Sequence, residues 1–116
     1  MNFKDETLDV LSENQKTWND VKFIQGNNFS VSNTKEELLE LMNFDYDSGY
    51  GAPKIAQDLK IVGDDWWLER AEYDGSEWWE YKETPKQNPN VKTIKRFQIK
   101  EDQIGWESLK DVNEED

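Results

Sequence analysis

The chain has 116 residues, 34% of them hydrophobic and 34% charged, with 26 acidic against 14 basic side chains for a net charge of -12. That length suffices for one modest core, and that charge repels nucleic-acid phosphates and anionic membrane surfaces. With neither cysteine nor histidine, disulfides, thiolate metal sites and imidazole acid–base chemistry are excluded.

In chain order, residues 5–14 (DETLDVLSEN) place Leu8 and Leu11 at helical spacing behind acidic residues, which predicts a short helix. Residues 20–24 alternate like a half-buried strand and residues 28–31 like a second, with Gly26-Asn27 as the turn between them. Thr34-Lys35-Glu36-Glu37 is a capping-box pattern, and Leu38, Leu41 and Met42 follow on one face, so a helix is expected over 34–43. Residues 44–53 (FDYDSGYGAP) hold two glycines, a proline and two aspartates and form a loop. Residues 59–62 are strand-like, ended by Gly63-Asp64. Residues 65–73 and 76–83 form a hairpin about Asp74-Gly75, a pair that tolerates the positive φ of a tight turn. Trp106 and Leu109 stand one turn apart in a last short helix over 106–112. Residues 113–116 trail off as an acidic disordered tail. The expected architecture is a single α+β domain over 1–112, an antiparallel sheet centred on the Trp-rich hairpin with two or three short helices packed mainly on one face.

Six Trp, four Tyr and five Phe compensate for the few aliphatics, because each aromatic buries a large area. No run of 18 apolar residues occurs, and the first ten residues lack the basic and apolar regions of a signal peptide. A soluble, cytoplasmic protein is therefore expected.

Four of the six tryptophans stand as adjacent pairs, Trp66-Trp67 and Trp78-Trp79, on the two hairpin arms. Adjacent strand residues point to opposite faces, so each pair makes both faces of the sheet aromatic. A two-residue loop would set Glu72 opposite Glu77 and Glu69 opposite Glu80, two like-charge pairs. A three-residue loop with Gly75 as a left-handed bulge avoids both, and this is the expected register. It gathers Trp67, Ala71, Trp79 and Tyr81 on one face, for helices to cover. On the other it gathers Trp66, Leu68, Arg70, Trp78 and Lys82, cations among indoles.

The chemistry-bearing patterns are weak. Asp45, Asp47 and Gly49 resemble the start of a calcium loop, but the glycine is one place early and the twelfth position is Ala56 where a bidentate Glu is required. A polar turn whose aspartates bond their own backbone is the expected form. Glu80-Tyr81-Lys82 has the acid-x-lysine spacing of Mg-dependent nucleases, with Asp64 or Asp65 as a further carboxylate, yet no basic groove accompanies it. Lys92, Lys95, Arg96 and Lys100, interleaved with Ile94, Phe97 and Ile99, suit a solvated strand face better than a nucleic-acid strip in so acidic a chain. No metal, cofactor or catalytic residue is expected.

The strings YDSGYG (46–51), DLKIVG (58–63), WWLER (66–70) and EYDGSEWWEY (72–81) carry a resemblance to a family of short, uncharacterised proteins encoded by bacteriophages and prophages of Gram-positive bacteria. The similarity extends from about residue 7 to residue 85. It implies the cytoplasm of a host cell and an accessory rather than a virion role, and supplies no activity or ligand. The functional expectation is a non-enzymatic protein that binds a host or phage protein through an aromatic–cation face of Trp66, Arg70, Trp78 and Lys82, with Tyr46 and Tyr50 from the preceding loop. One alternative is an acidic nucleic-acid mimic that inhibits a host nuclease or defence enzyme. Another is the Mg-dependent nuclease.

Overall fold

The computed structural model describes residues 1–99, 101 and 105–114. The chain divides into two compact units, Met1–Pro85 and Lys86–Asp116. In the first, helix α1 (Phe3–Glu13) starts earlier than its acidic residues suggest. Asn2 caps it, accepting from the Asp5 N–H at 3.0 Å. The earlier start brings Phe3 into line with Thr7 and Leu11, which are buried on one stripe.

After a single 3-10 turn (Trp18–Asp20) the chain enters β1 (Phe23–Gln25). The expected Gly26-Asn27 turn forms: Gly26 N–H donates to Phe29 O at 3.0 Å and Val31 N–H to Ile24 O at 2.8 Å. In place of a second strand there is only one bridge, Gln25 with Ser30. Helix α2 (Lys35–Leu41) carries the capping box read from the sequence, Glu37 N–H donating to Thr34 Oγ1 at 3.2 Å and Thr34 N–H to Glu37 Oε1 at 3.1 Å.

Strands β2 (Lys60–Val62), β3 (Trp66–Tyr73) and β4 (Ser76–Glu83) complete a four-stranded antiparallel sheet of order β1-β2-β3-β4. The fold is α+β. One sheet face, bearing Ile24, Ile61, Trp66, Leu68 and Trp79, clusters with Phe3 and Leu11 of α1 and with Leu38 and Met42 at α2. Phe3 stacks on Trp79 with ring centroids 5.6 Å apart, and the Trp79 indole N–H donates to Thr7 Oγ1 at 2.8 Å.

The hairpin register differs from the expected one. Asp74 (φ 49°) and Gly75 (φ 86°) both adopt left-handed backbone, the geometry of a two-residue type I′ turn, and Tyr73 pairs with Ser76. No bulge forms, so Glu72 does face Glu77 and Glu69 does face Glu80. Both repulsions are relieved by side chains outside the pair. Glu77 turns into the interior against Arg70, while Glu72 stays in solvent. Lys82 lies 3.3 Å from Glu80 and 3.9 Å from Glu69 and offsets part of their mutual repulsion. The two-residue type I′ turn matches the right-handed twist of the flanking strands, which favours this register over a bulged one.

In the second unit, residues 86–99 form neither helix nor strand, so the strand face expected for Lys92, Ile94, Lys95, Arg96, Phe97 and Ile99 is not formed. Lys100 lies outside the described residues. Helix α3 (Leu109–Asn113) begins only at its Ser108 cap, leaving Trp106 outside it and fully exposed. Asn113, expected in a loose tail, closes that helix. Its side chain accepts from Lys95 N–H (2.8 Å) and Arg96 N–H (3.1 Å) and donates to Arg96 O (2.9 Å), tying the 95–96 backbone to α3. The last two residues of the expected tail lie outside the described residues.

Candidate binding surface

The register re-sorts the six residues expected to face a partner. Trp66 is 3% exposed and lies flat against Gly63, where an added Cβ would stand 2.1 Å from the indole; it also stacks on Tyr81 at 5.9 Å. Arg70, 8% exposed as a residue, has its guanidinium 4.8 Å from the Trp79 ring, so the aromatic–cation contact exists but is internal. Tyr46 joins it there: Arg70 Nη2 donates to the Tyr46 hydroxyl at 3.1 Å, and that hydroxyl donates to Glu6. Tyr50 stays on the loop, 79% exposed. Of Trp66, Arg70, Trp78 and Lys82, only Trp78 and Lys82 lie on the face away from the core, so the four are not brought together.

The interior network is structural. Arg70 Nη2 is 2.9 Å from Glu77 Oε1, and Nη1 is 3.6 Å from Glu6 Oε2. Glu77 also accepts from the Lys54 N–H at 2.6 Å and the Ile55 N–H at 3.3 Å, which fastens the 44–55 loop to the hairpin. Burial pulls the Glu77 carboxyl upward, but the Lys54 N–H, Arg70 and the Ile55 N–H together outweigh it and hold it below the ordinary carboxylate range. Burial, then the hydrogen bond to Glu6, pushes the Tyr46 phenol up to about 12. Arg70 Nε and Nη1 are buried with no hydrogen-bond acceptor among the described residues. The ring faces of Phe3, Tyr46 and Trp79 take up that charge instead.

The opposite face of the sheet carries no helix of this unit. The register sets its side chains in cross-strand rows. Phe23, Val62, Trp67 and Lys82 form the first, Gln25, Lys60, Glu69 and Glu80 the second, and Ala71 with Trp78 the third. Two apolar patches are thus divided by a charged stripe. Phe23 and Trp78 are exposed, Trp78 by 38%, while Trp67 is half-buried with its indole N–H donating to Glu69 at 3.0 Å. Phe23, Val62 and Trp67 are the residues the sequence reading misses. The Asp74-Gly75 pair held the missing signal, because a two-residue turn puts Trp67 and Trp78 on one side.

The patterns with possible chemistry are placed as ordinary structure. Asp47 accepts from Gly49 N–H at 3.0 Å in a local turn, as expected. Glu80 and Lys82 are paired with each other, Asp64 lies 3.7 Å from Lys22, and no three carboxylates among the described residues group as a metal site. Among the described residues no helix is long and apolar enough to cross a membrane. The chain matches no protein-family model, no curated protein and no solved structure.

Proposed function

We propose that the chain is a non-enzymatic binding protein that takes a cationic surface of another protein onto the sheet face that carries no helix of its own unit. The resemblance to phage and prophage proteins supports an accessory role in a host cytoplasm. The observation that carries the reading is the pair of apolar patches around Trp67 and Trp78, set beside a charged stripe on a face with no helix of its own unit. Such amphipathic faces, with one indole exposed and a second half-buried beside it, suit protein contacts, where Trp is enriched among the residues that dominate binding energy.

Charge selects the partner class. Residues 1–85 hold 19 acidic against 8 basic side chains, a net of -11. A field of that sign accelerates encounter with Lys/Arg-rich surfaces and repels acidic ones. Lysine or arginine of the partner can lie on the Trp78 ring and reach Glu69 and Glu80 from the same approach.

The test is affinity capture from a Gram-positive host lysate, nuclease-treated, at low and high salt, with Trp67→Ala and Trp78→Ala run alongside. A basic protein captured by the wild type and weakened about 30-fold or more by either substitution is the expected result. Capture of a DNA-binding enzyme that is abolished by salt yet indifferent to both tryptophans would replace this reading with nucleic-acid mimicry.

A further inference from the structure

We infer that β4 receives an extended, Lys/Arg-bearing segment of a partner as a fifth strand of the sheet. This rests on the proposed partner-binding role and adds the mode of contact. A strand presents its N–H and C=O groups alternately to its two sides. The Thr84 N–H donates to Asp65 O at 2.7 Å, which fixes the residues of β4 that face β3: Lys82, Glu80, Trp78 and Ser76. The Glu77 N–H, of the other parity, donates away from β3 to Ser48 O at 2.7 Å. Trp79, Tyr81 and Glu83 share that parity, and among the described residues nothing accepts from their backbone N–H groups.

The two edges of the sheet are treated differently. On β1, the chain folds back so that Val31 N–H donates to Ile24 O, and Gln25 bridges Ser30. On β4, the 46–51 loop covers only the beginning, with Tyr50 and Gly51 packed near Gly75. Beyond it, the outward N–H groups of Trp79, Tyr81 and Glu83 have no acceptor among the described residues. Open edges template strand addition, and main-chain bonds there supply affinity while alternate side chains supply specificity.

Charge argues for a basic segment rather than a second copy. Strand β4 itself carries Glu77, Glu80 and Glu83 against Lys82, residues 1–85 hold a net charge of -11, and another copy would bring a second net charge of -12. A basic segment pairs with these acids and lays a cation over Trp78.

The experiment follows amide hydrogen exchange by NMR on the full chain, with a short synthetic peptide alternating lysine and valine as the probe. Its control is the same peptide N-methylated at alternate residues, which keeps every charge and loses strand pairing. In the free protein the amides of Trp79, Tyr81 and Glu83 are expected to exchange freely while those of Trp78 and Glu80 are protected. The unmodified peptide is expected to slow the first three by about tenfold or more, the methylated one not at all. Glu83→Pro, which removes an outward donor at an exposed strand end, is expected to weaken the peptide by up to about tenfold. Equal binding of both peptides, no added protection, or protection already complete in the free protein would each overturn the inference. So would protection that grows with protein concentration alone, which would make a second copy the occupant. A peptide that perturbs the Trp67 and Trp78 side chains without touching the edge amides would remove strand addition and leave the proposed function standing.

Discussion

Arg70 is the residue on which the first unit turns. It joins α1 through Glu6, the 44–55 loop through Tyr46 and the hairpin through Glu77, with no solvent on its side chain. Removing one partner of a buried pair strands the others without compensation. Arg70→Ala is therefore expected to lower stability by about 3–5 kcal/mol, measured by denaturant unfolding, a large part of the roughly 5–15 kcal/mol a small domain possesses. The same network sets an alkaline limit. The Tyr46 phenol is raised from 10.0 to about 12 on folding, so the folded state holds that proton more tightly than the unfolded state does. Its contribution is complete below pH 10 and is lost as pH rises toward 12. Tyr46→Phe, compared with wild type by unfolding across that window, is expected to show a shallower fall in stability with pH. Glu77 has the opposite sign: its lowered carboxyl stabilises above the ordinary Glu range, and that contribution goes as pH falls through the folded value.

At the scale of elements, legibility tracks sequence distance. The α2 capping box lies within four residues, and the structure has it as read. The Asp74-Gly75 turn is equally local, but counting like charges opposite each other argues against its two-residue form. Those charges are answered by Arg70 and Lys82, which a strand-by-strand count omits. The pairing of β1 with β2 joins segments separated by a helix and a loop, and nothing within either three-residue strand announces it. Gly75 tests the turn. At φ 86° an added Cβ is strained, and it would also stand 3.3 Å from the Gly51 backbone nitrogen. Gly75→Ala is expected to cost more than about 1 kcal/mol and to lower the thermal midpoint, read by circular dichroism.

For the whole molecule, the core cluster draws every member from residues 3–81. A chain ending at Pro85 is therefore expected to unfold cooperatively in urea with the tryptophan fluorescence change of a packed core. A non-cooperative, molten profile would show that the first unit depends on residues 86–116.

The sequence by itself determined the α+β class, the helix and turn signals that act over a few residues, and the fact that each tryptophan pair must serve both sides of a sheet. It also determined the sign of the electrostatic field around the chain. Only the tertiary structure decided which tryptophan of each pair is inside. Trp66 and Trp79 are buried, Trp67 and Trp78 turn to the other face, and a shift of one residue at the turn would exchange the members of one pair. That register rests on contacts of Arg70 with Glu77, Glu6 and Tyr46, made through the interior between segments far apart in the chain. Period-two alternation is a local property; the choice between its two phases is set by what the buried face meets.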